Sequence, residues 1–160
     1  MAGSTSRADF VVSGPRSGLG APAERILRSL PEWFAIEEAL VAYARAADEL
    51  PTLAATSEGE LVGFLTLKLT SRSAAEVHVM AVLPAWHRRG VGRALHERAA
   101  ACARDLGCAF LHVKTLAPED PYPPYAATRL FYEAMGFAPL EVLPQVWGPE
   151  DPCLLMVMAL

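Results

Sequence analysis

The stretch His87-Arg88-Arg89-Gly90-Val91-Gly92-Arg93-Ala94-Leu95 follows an apolar run and opens an alanine-rich run. This order predicts a strand, a glycine turn and a helix in succession. Gly90 and Gly92 let the main chain approach a ligand without an intervening Cβ. The unpaired amides of the first helical turn and the positive end of the helix dipole then face the same point. We therefore expect a phosphate or pyrophosphate group to bind here.

Two other glycine-loop families do not fit these residues. A dinucleotide fingerprint requires a third glycine where Leu95 stands, and an acidic residue about 20 positions further on, which residues 108–114 do not supply. A Walker loop requires Gly-Lys followed by Ser or Thr, and neither glycine precedes a lysine. The remaining alternative is a solvated, arginine-rich helix start, although paired glycines disfavour a helix that has no ligand.

Two motifs together resemble the GNAT superfamily of N-acetyltransferases. The family pattern [Gln/Arg]-x-x-Gly-x-[Gly/Ala] is matched at Gly90 and Gly92, with His87 in the Gln/Arg position. Farther on, Phe131-Tyr132-Glu133-Ala134-Met135-Gly136-Phe137 resembles the family's Phe-Tyr-Glu-x-x-Gly-Phe segment. The resemblance runs from about Leu61 to the C-terminus. It implies an α/β fold with a mixed, splayed central sheet of about seven strands and flanking helices, as a single domain over residues 1–160.

The resemblance also implies acetyl-CoA as a co-substrate, with no metal ion. In the family, the central strand binds the pantetheine like an added strand, which maps here to Met80, Ala81 and Val82. The residues expected to hold the pyrophosphate share the glycine turn: His87, Arg88, Arg89, Gly90, Val91, Gly92 and Arg93. The family's asparagine and alanine, seven and four residues before Tyr132, are replaced by Tyr125 and Thr128. This chain therefore lacks the asparagine that usually contacts the pantetheine in the family.

Acetyl transfer needs a neutral amine, yet a lysine-like amine has a pKa of about 10.4, so a base is expected. Glu76 is the first candidate, because it lies six residues before Val82, in the register of the basic glutamate of the family's histone-acetyltransferase branch. Burial on a central strand predicts a raised pKa for this carboxyl. The alternatives are an ion pair with Arg72 or a strand-end carboxylate in solvent.

His78 lies two residues after Glu76 and is predicted to face the same side of the strand. It could share the proton transfer or bind the acceptor, and a hydrogen-bonded core histidine is the alternative. His112, on the next strand, has the same ambiguity. His96 is predicted to be solvated on the surface of its helix.

Tyr132 is implied by the resemblance as the general acid that protonates the CoA thiolate, and as a cofactor contact. The alternative is a core aromatic residue, like Phe131 and Phe137 beside it. The oxyanion of the tetrahedral intermediate would bind a backbone amide where the central strand bulges, at Val79 or Met80.

Composition limits the remaining possibilities. The chain has 160 residues, 52% of them hydrophobic, and a net charge of -4, which suits one globular domain. The 14 basic residues against 18 acidic ones argue against a nucleic-acid partner. No apolar run approaches about 18 residues, so we expect no membrane association. The polar start over residues 1–9 and three cysteines without a CxxC pair favour a cytoplasmic protein with reduced thiols.

Hydrophobic periodicity and turn residues predict the elements. Strands are expected at residues 10–13, 51–57, 60–70, 75–82, 109–116, 137–143 and 154–159. Helices are expected at residues 21–30, 36–50, 90–106 and 125–135. Residues 13–20 are rich in glycine and proline and predict a loop. The strand–helix–strand unit over residues 75–116 predicts a right-handed crossover between two parallel strands.

The predicted function is therefore acetyl transfer from acetyl-CoA to a primary amine of a small molecule or peptide, within a ternary complex. The alternatives are another acyl-CoA donor on the same fold, or a non-catalytic acetyl-CoA sensor. Loops build the acceptor site, so the acceptor itself is not specified. Candidate walls are residues 32–34, residues 120–125 and Trp147, although both Trp33 and Trp147 also suit the core margin. The apolar C-terminal strand is consistent with a homodimer.

Overall fold

The computed structural model of the chain describes residues 9–160. The polar start over residues 1–9, on which the prediction of a cytoplasmic protein partly rests, lies outside the described residues apart from Asp9. The strands are β1 (Val11–Arg16), β2 (Thr52–Ser57), β3 (Glu60–Leu69), β4 (Ala74–Val82), β5 (Phe110–Leu116), β6 (Ala138–Leu143) and β7 (Cys153–Ala159). The helices are α1 (Gly20–Arg28), α2 (Glu37–Glu49), α3 (Val91–Asp105) and α4 (Pro123–Met135). None of these helices combines the length and apolar character needed to cross a membrane.

The seven strands form one sheet in the order β1-β2-β3-β4-β5-β7-β6. Within residues 9–160, β4 and β5 are the parallel pair, and the other neighbouring strands run antiparallel. The β4–β5 ladder covers only Ala74–Val77 against Phe110–Val113, after which the two strands separate. The predicted fold is confirmed: a mixed, splayed sheet of seven strands with flanking helices and a parallel crossover through α3.

Each face of the sheet carries its own core. On one face, α3 and α4 cover Leu53, Leu65 and Leu111, and α3 contributes Val91 and Leu95 from one side of the helix. On the other face, α1 and α2 cover a second cluster, which includes Phe64. Burial of apolar surface on both faces provides the main driving force for this arrangement.

The start of α3 sits directly on β3 because residue 63 is a glycine. A Cβ at Gly63 would lie 2.9 Å from Cγ1 of Val91, which is 1% exposed. Any larger residue would push the first turn of α3 away from the sheet. The helix start is therefore held at a fixed distance from the end of β4.

Beyond a β-bulge at His78, the side chains of β4 point to the opposite faces of the sheet from those that strict alternation predicts. Consecutive residues of β3, Thr66 and Leu67, pair with Val79 and Val77, so His78 is the extra residue on β4. Val77 packs into the α3–α4 core, whereas Val79 packs into the α1–α2 core, although strict alternation would place them on one face. The bulge predicted near Val79 is thus present. It aims Met80 toward α3 and α4, on the opposite face to Val79.

Two local predictions are wrong. Residues 13–16 continue β1 instead of forming a loop, with an irregular register between Ser13 and Arg16. Since β1 is an edge strand of the sheet, proline is tolerated there. Ile36, predicted as the first residue of the helix over residues 36–50, immediately precedes α2 and is 61% exposed. The three cysteines, all within the described residues, are free thiols as predicted.

Candidate active site

Three polar side chains meet where β4 and β5 separate. Nδ1 of His78 lies 2.9 Å from Oε1 of Glu76, and Nζ of Lys114 contacts the second carboxylate oxygen, Oε2. His78 and Lys114 are the first residues of their strands beyond the last β4–β5 pair, Val77 with Val113. The end of the parallel ladder therefore opens a space, and the sequence lines that space with a carboxylate, an imidazole and an ammonium group.

The electrostatics of Glu76 differ from the prediction. Burial, with only 7% of the residue exposed, raises the pKa of the carboxyl, but hydrogen bonds from His78 and Lys114 outweigh it. The pKa of Glu76 falls to about 2, whereas a raised value was expected. The expectation failed because it considered burial and left out the hydrogen bonds that His78 and Lys114 donate to the carboxylate. Neither predicted alternative holds, since Glu76 is buried and its cationic partner is Lys114, in place of Arg72.

The contact with Glu76 determines which nitrogen of His78 carries the proton. An ionised carboxylate can only accept, so Nδ1 of His78 must donate to Oε1. In the neutral imidazole, Nε2 is then unprotonated and can accept a proton. The ring is half-buried and packs edge-to-face against Tyr43 of α2, with 5.6 Å between centroids. The imidazole is thus fixed by a hydrogen bond on one side and an aromatic ring on another.

His112 lies beside this cluster but is oriented differently. Its Nε2 is 2.7 Å from the hydroxyl of Thr70, and its Nδ1 is 4.0 Å from Oε2 of Glu76, too far for a hydrogen bond. Burial lowers the pKa of His112. Its arrangement is that of a neutral histidine held by a threonine.

The glycine turn has the backbone shape that an anion site requires. Gly90 caps α3 in the left-handed conformation, with φ of 84°, and the space where a Cβ would lie is open. Arg88 is also left-handed, with φ of 59°. The first bond of the helix runs from the Ala94 amide to the Gly90 carbonyl, so the three preceding amides have no intrahelical acceptor. The turn is exposed on the surface from His87 to Gly90.

The basic side chains of the turn are brought together but are not equivalent. Arg88 and Arg93 are exposed. The guanidinium of Arg89 stacks on Trp86 at 3.9 Å and lies 3.6 Å from the carboxylate of Asp9. His87 points back toward the strand end, with Nε2 2.7 Å from the carbonyl of Val82. Among residues 9–160, the turn therefore offers two arginines without an ion-pair partner, one stacked arginine and a histidine directed at β4.

The predicted pantetheine residues lie on the splayed part of β4. Met80, Ala81 and Val82 pair with Leu65, Phe64 and Gly63 of β3, but they lie beyond the ladder with β5. Among residues 9–160, no strand pairs with the β5-facing edge of β4 over this stretch. Such an edge can accept an extended ligand as an added strand.

Tyr132 is buried among aromatic rings. It packs edge-to-face against Phe131 and Phe137, each with 5.4 Å between centroids, and is 7% exposed. Burial raises the pKa of its hydroxyl, so Tyr132 remains protonated across the physiological range. Phe131 also faces α3, where its ring lies 3.1 Å from the position of a Cβ on Gly92. These contacts suit both readings of Tyr132, a core aromatic residue and a proton donor.

A bridge from Trp33 connects the α1–α2 segment to α4. The indole Nε1 of Trp33 donates to the hydroxyl of Thr128 at 3.0 Å, and the hydroxyl of Tyr125 donates to the Trp33 carbonyl at 3.0 Å. The Trp33 ring also packs edge-to-face with His87 at 6.2 Å. Tyr125 and Thr128 are the two positions that depart from the family pattern, and both bind Trp33. Trp147, by contrast, is 41% exposed.

His96 is buried, at 5% exposure, and the prediction that it is solvated is wrong. Its ring packs on Phe137, and burial lowers its pKa. His96 forms part of a groove of about 240 Å³ between α3 and α4. The polar residues of that groove are Arg93, His96, Glu97 and Arg104. Glu76, His78 and Lys114, which together form the Glu76 cluster, do not line this groove.

Three features of the site were not found from the sequence. Lys114 is the direct partner of Glu76, Tyr43 packs on His78, and Trp33 binds α4 through Thr128. A usable signal existed for Lys114, because the parallel register pairs Glu76 with His112. Position 114 is then level with position 78. No comparable local signal exists for Tyr43 or Trp33, whose contacts depend on helix packing.

Solved structures share the fold at low sequence identity. A GNAT-family protein from Desulfovibrio desulfuricans is 20% identical, with a TM-score of 0.80 over 94% of this chain and 98% of its own. A GNAT-family acetyltransferase from Elizabethkingia anophelis, solved with acetyl-CoA bound, is 14% identical, with a TM-score of 0.75 over 96% of this chain and 100% of its own. The ribosomal-protein-S18-alanine N-acetyltransferase from Escherichia coli is 21% identical, with a TM-score of 0.72 over 94% and 93%.

No curated protein matches the sequence. The family comparison is decisive, because residues 36–139 match the acetyltransferase (GNAT) domain, which is more than half of the chain. The matched region contains the glycine turn, the Glu76 cluster and Tyr132. This protein therefore belongs to the GNAT acetyltransferase family.

Proposed function

We propose that the protein transfers the acetyl group of acetyl-CoA directly to a primary amine of a small molecule or peptide, in a ternary complex. The observation that carries this proposal is the contact between Glu76 and His78 at the point where β4 and β5 separate. The same strand continues into the glycine turn at the start of α3. One strand thus connects a group able to accept a proton with an anion-binding helix terminus.

The cofactor is proposed to lie along β4 from the glycine turn to the cluster. The amides at the start of α3, together with Arg88 and Arg93, bind the pyrophosphate. The pantetheine runs along the free edge of β4 over residues 80–82. The Val82 carbonyl accepts a hydrogen bond from His87, and its second lone pair can accept one from the pantetheine.

His78 is proposed as the general base, and Glu76 as the group that orients it. A carboxyl with a pKa of about 2 is too weak a base to remove a proton from an ammonium group near neutral pH. An imidazole is a stronger base than such a carboxylate, and its ordinary pKa of about 6.5 lies near neutral pH. Glu76 fixes the tautomer by accepting from Nδ1, which leaves Nε2 free for the amine. The same logic operates when a carboxylate orients a catalytic histidine in other enzymes.

Tyr132 is proposed as the general acid. Attack of the amine on the thioester forms a tetrahedral intermediate, and its collapse breaks the carbon–sulfur bond and releases CoA as a thiolate. The buried hydroxyl of Tyr132 stays protonated and can donate to that sulfur. The backbone amide of Val79 or Met80, beside the bulge at His78, is the proposed donor to the oxyanion.

A screen of amines against acyl-CoA donors tests the proposal. The purified protein is incubated with acetyl-, propionyl- or succinyl-CoA and each amine, and free thiol and acylated product are measured. We expect amine-dependent thiol release that is greatest with acetyl-CoA. Faster thiol release with propionyl- or succinyl-CoA would favour the alternative in which the protein uses another acyl-CoA donor. Acetyl-CoA binding without product from any amine, polyamine or peptide N-terminus would overturn the enzymatic proposal and favour a sensor.

A further inference from the structure

Lys114 is the residue of the Glu76 cluster to which the proposed chemistry gives no role. Its Nζ contacts Oε2 of Glu76, while Oε1 receives the hydrogen bond from His78. The carboxylate side chain is 9% exposed, and the lysine side chain is 33% exposed. Both oxygens of Glu76 are thus occupied by different partners, and a carboxylate held at both oxygens cannot rotate away from His78.

We propose that Lys114 is a positioning residue, which holds Glu76 on Nδ1 of His78 and opposes the positive charge that Glu76 alone would favour on that ring. This inference rests on the proposed role of His78 as the base.

Without Lys114, Glu76 would affect both the orientation and the charge of His78. A lone carboxylate at hydrogen-bond distance orients an imidazole, but it also stabilises the imidazolium. An imidazolium has no free lone pair and cannot accept a proton from the amine. The ammonium of Lys114 opposes this effect, because it attracts Glu76 and repels a positive charge on His78. The carboxylate can then orient the ring without keeping it protonated.

The other titratable groups around the cluster do not supply this balance. Tyr43 faces it from α2, and burial raises the pKa of its hydroxyl. His112 faces it from β5, and burial lowers its pKa. Cys153 of β7 lies near it, and burial raises the pKa of the thiol. All three groups are therefore neutral near pH 7. Among residues 9–160, Lys114 is the lysine or arginine in contact with Glu76.

The direct test is an NMR titration of His78. The four histidine rings are isotope-labelled, and a His78→Gln variant identifies the His78 signal. We expect Lys114→Met to move the His78 titration midpoint upward by roughly one pH unit. Lys114→Arg keeps the charge and should leave the midpoint near that of the wild type. A Glu76→Gln/Lys114→Met double variant removes both charges and should reverse most of the upward shift.

An unchanged midpoint in folded Lys114→Met overturns the proposal, and so does an equal shift in Lys114→Arg. Lys114→Gln serves as a second neutral variant in case the methionine variant does not fold. If neither neutral variant folds while Lys114→Arg does, Lys114 is a stability residue and the proposal also fails.

A kinetic arm separates this inference from the proposed function. Lys114→Met should lose activity at neutral pH and recover it at more alkaline pH, whereas a purely structural defect lowers the rate equally at every pH. The NMR titration needs no turnover. A protein that acetylates no amine would therefore contradict the proposed function while the titration still decides the role of Lys114.

Discussion

Nδ1 of His78 lies 2.9 Å from Oε1 of Glu76, two residues away on the same strand. The bulged residue, His78, lies directly beyond the last β4–β5 pair, so this contact sits at the splayed end of the ladder. In the proposed mechanism, this pair divides the two requirements of a base. Glu76 stays ionised and fixes the ring, and His78 offers the nitrogen that takes the proton.

This division of roles predicts different pH profiles for two variants. His78→Gln should lower kcat/KM at neutral pH by about 100-fold or more, because the proton acceptor is lost. Glu76→Gln keeps an acceptor for Nδ1, so it should lower the rate by only about 10-fold and retain an acid limb in the profile. Steady-state thiol release between pH 5.5 and pH 9 measures both. Loss of the acid limb in Glu76→Gln, with the limb retained in His78→Gln, would identify Glu76 as the base instead.

The lowered pKa of Glu76 predicts a defined loss of stability in acid. Folding moves this pKa from 4.5 to about 2. The ionised carboxyl therefore stabilises the fold fully above about pH 4.5, and this stabilisation is lost as the pH falls toward 2. The contribution amounts to about 3 kcal/mol. Urea unfolding at pH 5 and pH 2 measures it as the difference between wild type and Glu76→Gln. The difference in free energy of unfolding between the wild type and Glu76→Gln should be smaller at pH 2 than at pH 5 by about 3 kcal/mol. An equal difference at both pH values would contradict the lowered pKa of Glu76.

Tyr132→Phe tests the proposed acid with little change in shape. The ring contacts with Phe131 and Phe137 are kept, so the fold should be retained. We expect kcat to fall by about 10- to 100-fold, with unchanged affinity for acetyl-CoA. Tyr125→Phe is the matched control on the same helix, because its hydroxyl donates to the Trp33 carbonyl. Equal rates for wild type and Tyr132→Phe would leave Tyr132 as a core residue.

The bridge between Trp33 and Thr128 predicts a measurable coupling between two distant segments. Trp33→Phe and Thr128→Val each remove the same hydrogen bond, so each should cost about 1 kcal/mol of the free energy of unfolding. The double variant should cost little more than either single one. Urea denaturation gives these values, with Trp147→Phe as an exposed control. Fully additive losses would mean that the hydrogen bond contributes nothing to stability.

The sequence predicted the fold well because its two motifs are local. The glycine turn and the Phe-Tyr-Glu segment each lie within one continuous stretch, and the crossover between β4 and β5 follows from element order. Glu76 and His78 could be placed on one face because strand alternation relates residues two apart. Their direct contact confirms that placement.

The errors share a physical cause, which is that each depends on a neighbour distant in sequence. Burial alone predicts a raised pKa for Glu76, but hydrogen bonds from His78 and, on the adjacent strand, from Lys114 lower this pKa. His96 was placed in solvent, but Phe137, beyond the end of α4, packs on it. Glycine and proline predict a loop over residues 13–20, yet residues 13–16 pair with β2 as part of an edge strand, which accommodates both residue types.

The most direct test of the account is calorimetric titration of acetyl-CoA into the folded protein and two aspartate variants. Gly90→Asp places a carboxylate against the amides at the start of α3, whereas Gly107→Asp has a similar left-handed backbone, with φ of 83°, beyond the other end of the helix. We expect the wild type and Gly107→Asp to bind acetyl-CoA, and Gly90→Asp to bind at least about 100-fold more weakly. Absence of heat with the wild type, or equal affinity in Gly90→Asp, would contradict the claim that the start of α3 binds the coenzyme.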